Sequence, residues 1–358
     1  MRFYSQFLGL VLSIFSYNVY AQQTTDEEDY SMYEDYGYAG EAAKTYASPK
    51  IKGLSPNRFI NVAYDLQSPY AMSFSDIGVY EPDANWTPGG SSTIHSTGGL
   101  RVNANIPVVS RNSVIWQMGV NYMATRFNVA NPSAHPILQE LSERVLHTSG
   151  LFTTVFKPLN DKQFLLFQGQ VDYSGDYQLG DLQPLNTLRY SAALLWGKTV
   201  HDRKQWAIGV ARTYKVGALN YVPIVLFNWT SRSEKWGAEI LFPARAHGRY
   251  TFSKRSLLLF GYELEGNSYR LNELSNGGNS FEIRRGEIRP RIEWNRQLVG
   301  FFWLNFQAGV RINYSFDADE LSRGTDFYRG FFGDQEFSAL SSLGTAAYAL
   351  VGISFVSP

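Results

Sequence analysis

From Asn57 onward the chain repeats one pattern, in which apolar and polar residues alternate with a period of two through segment after segment. Leu100, Val102, Ala104, Ile106 and Val108 alternate with Arg101, Asn103, Asn105 and Pro107. Val114, Trp116, Met118, Val120 and Tyr122 alternate with Gln117, Gly119 and Asn121. Phe302, Leu304, Phe306, Ala308, Val310 and Ile312 oppose Asn305, Gln307, Gly309 and Arg311. Successive side chains on a strand point to opposite faces, so each segment is a strand with one apolar and one polar face. The alternation predicts fourteen strands, over about 58–74, 93–109, 113–128, 144–158, 163–174, 186–199, 205–216, 219–230, 235–242, 246–252, 256–271, 281–295, 299–314 and 346–356. The ninth and tenth are short. Were they a folded-in hairpin, the wall would have twelve strands.

The connections are sorted by length. Short polar turns fall at Ser110-Arg111-Asn112, Asn160-Asp161-Lys162, His201-Asp202-Arg203-Lys204, Ser231-Arg232-Ser233-Glu234, Ser253-Lys254-Arg255 and Asn295-Arg296-Gln297. Most intervening connections are longer, over about 75–92, 130–143, 175–185, 272–279 and 316–344. Two on that side, near Gly217-Ala218 and Pro243-Ala244, are short and predict a low stretch of rim. Tight turns at one rim and long loops at the other predict an all-β, antiparallel up-and-down transmembrane barrel. The strand count is even, which brings both chain ends to the short-turn rim. Mean hydropathy is slightly negative, against a helical membrane bundle but compatible with a barrel whose strands show lipid every second residue.

The first residues predict export. Arg2 is a basic start, Phe7 to Phe15 an apolar core too short to span a bilayer as a helix, and Val19-Tyr20-Ala21 a cleavage site before Gln22. The expected organisation is a signal peptide over 1–21, an acidic tyrosine-rich leader over 22–56, and the barrel over 57–358. In the leader, Asp26, Glu27, Glu28, Asp29, Glu34, Asp35 and Glu41 precede the first base, Lys44, with Tyr30, Tyr33, Tyr36 and Tyr38 among them. Such a composition predicts a disordered periplasmic segment. A segment that enters the lumen or docks on a periplasmic or outer-membrane partner is the alternative.

In the strand near 281–295, Arg285, Glu287, Arg289, Arg291 and Glu293 share one face, opposite Gly286, Ile288, Pro290, Ile292 and Trp294. A base facing lipid at mid-depth costs about 2–4 kcal/mol, so the charges are expected to face the lumen. Glu263 and Glu265 join them from the preceding strand, Arg311 from the following one, and Glu239 and Arg249 from the short hairpin. Five acids and five bases predict a cross-strand ladder of ion pairs. It either braces the wall or lines a selective pore in which Arg289 and Arg291 hold an anion.

Ala347, Ala349, Val351, Ile353 and Phe355 lie on one face of the last strand. This resembles the C-terminal strand by which outer-membrane barrels are recognised by their assembly machinery, although Ser357 and Pro358 follow the aromatic. With the acidic leader and the run Tyr262-Glu263-Leu264-Glu265-Gly266-Asn267-Ser268-Tyr269, the chain is similar to uncharacterised outer-membrane barrels of Bacteroidota. The resemblance implies the outer membrane, its lipid and the barrel-assembly machinery as surroundings, and no established activity.

Enzymatic chemistry finds little support. His95 and Ser96 point to opposite faces. His147 and Ser149 share a face but stand about 7 Å apart along a strand. His135, His201 and His247 lie in a loop, a turn and a short strand. Asp317, Asp319, Glu320, Asp326, Asp334 and Glu336 offer oxygen ligands without a calcium-loop spacing. No Gly-rich phosphate loop opens a helix, the formal charge is zero, and there is no cysteine, so no cofactor, metal or nucleic-acid partner is expected. The expected function is a narrow or gated pore for small solutes, with a scaffold barrel acting through a partner as the alternative and a lipid-modifying enzyme third.

Overall fold

The computed structural model describes residues 50–76, 89–177, 188–213, 220–272, 280–321 and 339–356. The signal peptide, residues 22–49 of the leader and the Gly217-Ala218 connection lie outside them. The strands are β1 (Arg58–Gln67), β2 (Tyr70–Phe74), β3 (Gly90–Arg111), β4 (Val114–Val129), β5 (Leu146–Pro158), β6 (Gln163–Gly175), β7 (Arg189–His201) and β8 (Lys204–Thr213). They continue as β9 (Asn220–Thr230), β10 (Trp236–Phe242), β11 (Arg245–Ser253), β12 (Ser256–Leu271), β13 (Ser280–Val299), β14 (Phe302–Leu321), β15 (Ala339–Leu343) and β16 (Ala346–Val356).

Sixteen segments make fourteen staves. β1 and β2 both pair with β3 and are one stave interrupted at Ser68-Pro69, where proline removes a ladder donor. β16 and β15 both pair with β14 and are another, interrupted at Gly344-Thr345. Each stave pairs antiparallel with the next in sequence, and β1 closes on β16 with Arg58 opposite Val356. The short strands β10 and β11 pair with each other and with β9 and β12, so they belong to the wall and the twelve-strand alternative falls.

The outer face is apolar: Val120, Leu151, Leu194, Val210, Ile292 and Val351 are all exposed. Near the short-turn rim it carries aromatic groups, with Trp196 against Trp206, Trp236 against Tyr250, and Phe355 against Phe59, Phe301 and Phe302. The inner face is layered. At the long-loop end Tyr70, Met72, Phe74, Ile94, Phe127, Leu271, Phe281 and Phe316 form an apolar plug.

The connection after β4, expected as plain loop, contains helix α1 (Pro136–Glu143). Pro136 suits a first-turn position, and the His135 Nδ1 accepts from the Ile137 N–H at 3.3 Å, capping the helix. Ile137, Leu138 and Leu141 share the face that enters the plug. The spacing of these three was visible in the sequence. An eight-residue helix has too little periodicity to stand out from a loop, and the plug supplies the burial that stabilises it.

At the same end the barrel is pinched. Arg270 of β12 bridges Gly175 of β6 across the opening, although β7 to β11 separate these strands around the wall. A Cβ on residue 175 would lie 2.5 Å from the Arg270 carbonyl oxygen, so the approach requires glycine. Asp176 fastens the contact: its N–H donates to the Arg270 carbonyl (3.1 Å), and its carboxylate accepts from Asn272 Nδ2 (2.9 Å) and pairs with Arg144 (2.6 Å).

Candidate functional site

The lumen beneath the plug holds the charges. Arg101 of β3 binds Glu265 bidentately (2.8 and 3.0 Å) and Asp65 of β1 at 3.0 Å. Arg289 pairs with Glu263 (3.1 Å) and Glu265, and Arg291 with Glu263 and, at 3.0 Å, Glu293. Arg285 meets Glu287 at 2.6 Å, while Arg311 joins Glu287 (3.1 Å) to Asp65. Arg58 reaches Glu293 from the first stave. Glu265 and Glu287 stand directly opposite each other on β12 and β13, a repulsive register that is offset because each carboxylate is bracketed by its own arginines. The Tyr348 ring lies 5.6 Å from the Arg289 guanidinium and 5.0 Å from that of Arg311, within cation–π range.

The ten residues singled out from alternation therefore fall into two groups. Glu263, Glu265, Arg285, Glu287, Arg289, Arg291, Glu293 and Arg311 form the central network with Asp65, Arg101 and Arg58. Glu239 and Arg249 pair with each other apart from it, at 3.1 Å, and Arg249 also donates to Thr230 at 2.9 Å. Apart from Arg58, the members that alternation within the late strands could not supply are Asp65 and Arg101. Both sit on the polar side of their own strands, but only closure of β1 and β3 against β16 and β14 places them beside Glu265 and Arg311. Arg289 and Arg291 each contact two carboxylates, so an open anion seat on them is not what the geometry presents.

The Glu239–Arg249 pair receives the end of the leader. The Ser55 N–H and hydroxyl both donate to Glu239, at 2.9 and 2.8 Å, and the Lys52 N–H donates to the Asp202 carbonyl at 2.7 Å. Ile51 is buried, and Gly53, at φ 75°, lies where a Cβ would meet Thr230 Cγ2 at 2.9 Å. Residues 50–57 thus run as a strap from β1 to the β7–β8 turn and the inner face of β9 to β11. The expectation that the leader is disordered as far as residue 56 is corrected for its last seven residues (50–56): main-chain hydrogen bonds and one buried isoleucine hold them.

Between the network and the opposite wall lies a cavity of about 570 Å³. Arg101, Glu263, Glu265 and Arg289 line one side, and Asn121, Thr148, Thr154, Gln168, Gln170 and Asp172 the other. Toward the short-turn rim the inner face turns apolar, with Phe156, Phe164, Leu195, Ala207, Ala211 and Ile224 packed together. The signal for the amide wall was present in the polar positions of β4 to β6, which carry a single charge, Asp172, and no motif to set them apart.

On the outer face His147 and Ser149 do not meet. His147 Nδ1 is 2.9 Å from the Tyr122 hydroxyl, and Ser149 accepts from the Tyr177 hydroxyl at 2.9 Å. Among the described residues no group of three His, Asp or Glu side chains is placed to hold a metal ion, and 322–338 of the last acidic loop lie outside them.

A family model described as "Domain of unknown function (DUF6268)" matches residues 74–356. Among curated proteins none matches the chain. Solved structures with a similar strand arrangement include an outer membrane channel of Pseudomonas putida F1 (12% identity, 88% of this chain and 99% of that one, TM-score 0.37). Others are the toluene transporter TodX of Pseudomonas putida (7%, 86% and 92%, TM-score 0.33) and the outer membrane protease OmpT of Escherichia coli (8%, 85% and 99%, TM-score 0.28). At these scores the likenesses carry no weight beyond the topology already described.

Proposed function

The chain belongs to the DUF6268 family, and on its architecture we propose a gated outer-membrane pore for small polar solutes. The membrane assignment rests on the closed wall, whose outer face shows apolar side chains in numbers no water-facing surface carries, edged with aromatic groups. Export through residues 1–21, contact with outer-membrane lipid, and assembly through the strand of Val351, Ile353 and Phe355 belong to the same reading.

The observation that carries the pore is the cavity. It lies between paired charges and a wall of amides and hydroxyls, a lining that exchanges hydrogen bonds with a hydrated solute and favours neither sign strongly. Toward the periplasm lie the side chains of the apolar cluster and, nearer the short-turn rim, the strap of 50–57, parts that can move without breaking the wall. The route is therefore closed at rest, and displacement of the strap opens it.

Single-channel recording of the refolded full chain in a planar bilayer tests this, after heat-modifiable migration has confirmed the barrel. Brief openings that lengthen when residues 22–56 are deleted are expected. Silence in both forms favours the second reading, a scaffold barrel acting through a partner bound by the leader, for which the plug and the ion-paired lumen speak.

A further inference from the structure

The wall is not of even height. β10 has 7 residues and β11 has 9, against 16 in β12, 20 in β13 and 22 in β3. On β9 the outward Trp229 and Tyr221 stand at the two ends of the apolar stretch, about 20 Å apart in height for a strand tilted as barrel strands are. Phe242, the last residue of β10, is registered opposite Val225, midway between them. The β10–β11 turn therefore lies at mid-depth of the hydrocarbon, about 10 Å below the outer interface.

The chemistry of this turn agrees with its depth. The short turns at the opposite rim are mostly polar, Gly300-Phe301 being the exception, whereas this one reads Leu241-Phe242-Pro243-Ala244. Proline has no N–H to leave unpaired, and the Ala244 carbonyl accepts from the Leu264 N–H at 2.8 Å, which meets the demand of lipid for satisfied backbone. Above the turn, among the described residues, no strand lies between Asn220–Ile224 of β9 and Glu265–Leu271 of β12. β12 leans instead toward β6 through the Arg270–Gly175 bridge. The wall has a notch at the level of the outer leaflet.

The cavity reaches this notch. Val222, Leu241, Phe242, Pro243, Ala244 and Leu264 line it; of its arginines, Arg101 and Arg289 are engaged by Asp65, Glu263 and Glu265, and Arg189 by Glu282, whereas Arg245, the residue after the turn, is exposed. An apolar mouth in the leaflet leads past Arg245 to a polar, charge-paired interior. We propose that the notch is a lateral portal, through which a single-chain amphiphile with an anionic head passes between the outer leaflet and the cavity. The head is held by Arg245 and the amides, and the chain lies across Val222, Phe242 and Leu264. A volume of about 570 Å³ falls within the ~300–1,000 Å³ of small-molecule sites, which suits the head and part of the chain of a single-chain amphiphile. The proposal rests on the membrane placement above and does not require the cavity to conduct ions.

The chain has no cysteine, so single labels can be placed directly. With the full chain in phospholipid nanodiscs, a nitroxide at Phe242→Cys is expected to collide more with oxygen than with a water-soluble nickel chelate, and one at Arg203→Cys, on a short turn, the reverse. Dodecanoate is expected to bind saturably, dodecanol at least tenfold more weakly, and butyrate not measurably. Val222→Trp, which fills the mouth, is expected to weaken dodecanoate at least tenfold with heat-modifiable migration retained. Should that variant not fold, Arg245→Gln reads the same site. A water-exposed Phe242 label overturns the portal, as does dodecanoate binding that does not saturate or ignores the substitutions. An anionic two-chain phospholipid in the disc that displaces dodecanoate overturns the restriction to one chain. Conductance of the same refolded protein in a planar bilayer separates the two ideas: a silent barrel that binds dodecanoate sinks the pore alone, and a conducting barrel that does not bind it sinks the portal alone.

Discussion

Arg311 is the residue on which two parts of the lumen depend. It joins Glu287 of the neighbouring strand to Asp65 of the first stave, and all three side chains are buried. Removing one partner of a buried pair leaves an uncompensated charge, so Arg311→Ala is expected to lower stability by about 3–5 kcal/mol in urea unfolding from vesicles. Wild-type stability in that variant would show that water reaches the network and that the lumen is wetter than described. At Gly53 the backbone, not charge, decides. An alanine at φ 75° costs about 1–2 kcal/mol and brings its Cβ against Thr230. Gly53→Ala is therefore expected to loosen the strap, read as faster modification of Ser55→Cys by a membrane-impermeant thiol reagent added from the short-turn side. Neither role could be read locally. Gly53 is one of 31 glycines, and nothing near Arg311 in the chain points to Asp65.

Among the elements, α1 and the β6–β12 contact each have one polar fastening, His135 and Asp176, that a substitution can test. His135 caps α1, stacks on Phe74 at 5.1 Å, and has its imidazole pKa lowered to about 4 from the usual 6.5 by burial, with Asp76 acting in the opposite sense. A base with a depressed pKa is seated as the neutral form. Its contribution is complete above about pH 6.5 and is lost as the pH falls toward 4, by on the order of 3 kcal/mol in all. A nitroxide at the exposed Gln139→Cys is expected to gain mobility over that window, and His135→Asn, which keeps a capping acceptor without the titration, to flatten the response. The β6–β12 contact is tested at Asp176. Asp176→Ala leaves Arg144 and Asn272 without their shared acceptor and is expected to speed hydrogen exchange at Arg270 to Asn272 several-fold, with β13 and β14 unaffected.

At the scale of the whole molecule, the lumen is divided lengthwise. One half is filled by ion pairs under an apolar plug, and the other holds the cavity, with the strap across the short-turn mouth. If the strap is the gate, deleting 22–56 raises mean conductance while leaving thermal stability of the wall within about 1–2 kcal/mol, because β1 begins only at Arg58. Unchanged conductance would make the strap a spacer and shift the gate to the plug.

The strands, their number and the sorting of turns could be read from the chain because they are local, although Asn295 to Gln297, expected as a turn, belong to β13 and the turn is Gly300-Phe301. A period of two is visible within any ten residues, and a turn needs only its own side chains. The short β10–β11 hairpin was legible for the same reason, down to its apolar turn. What the hairpin does was not, since its depth is set by register against Val225 of β9 and by the lean of β12 toward β6. The partners of the lumen charges were likewise decided by the tertiary structure. Asp65 meets Arg311 across 246 residues, and Ser55 meets Glu239 across 184. Alternation tells a side chain to face inward, and only the stagger at which the wall closes determines what it faces there.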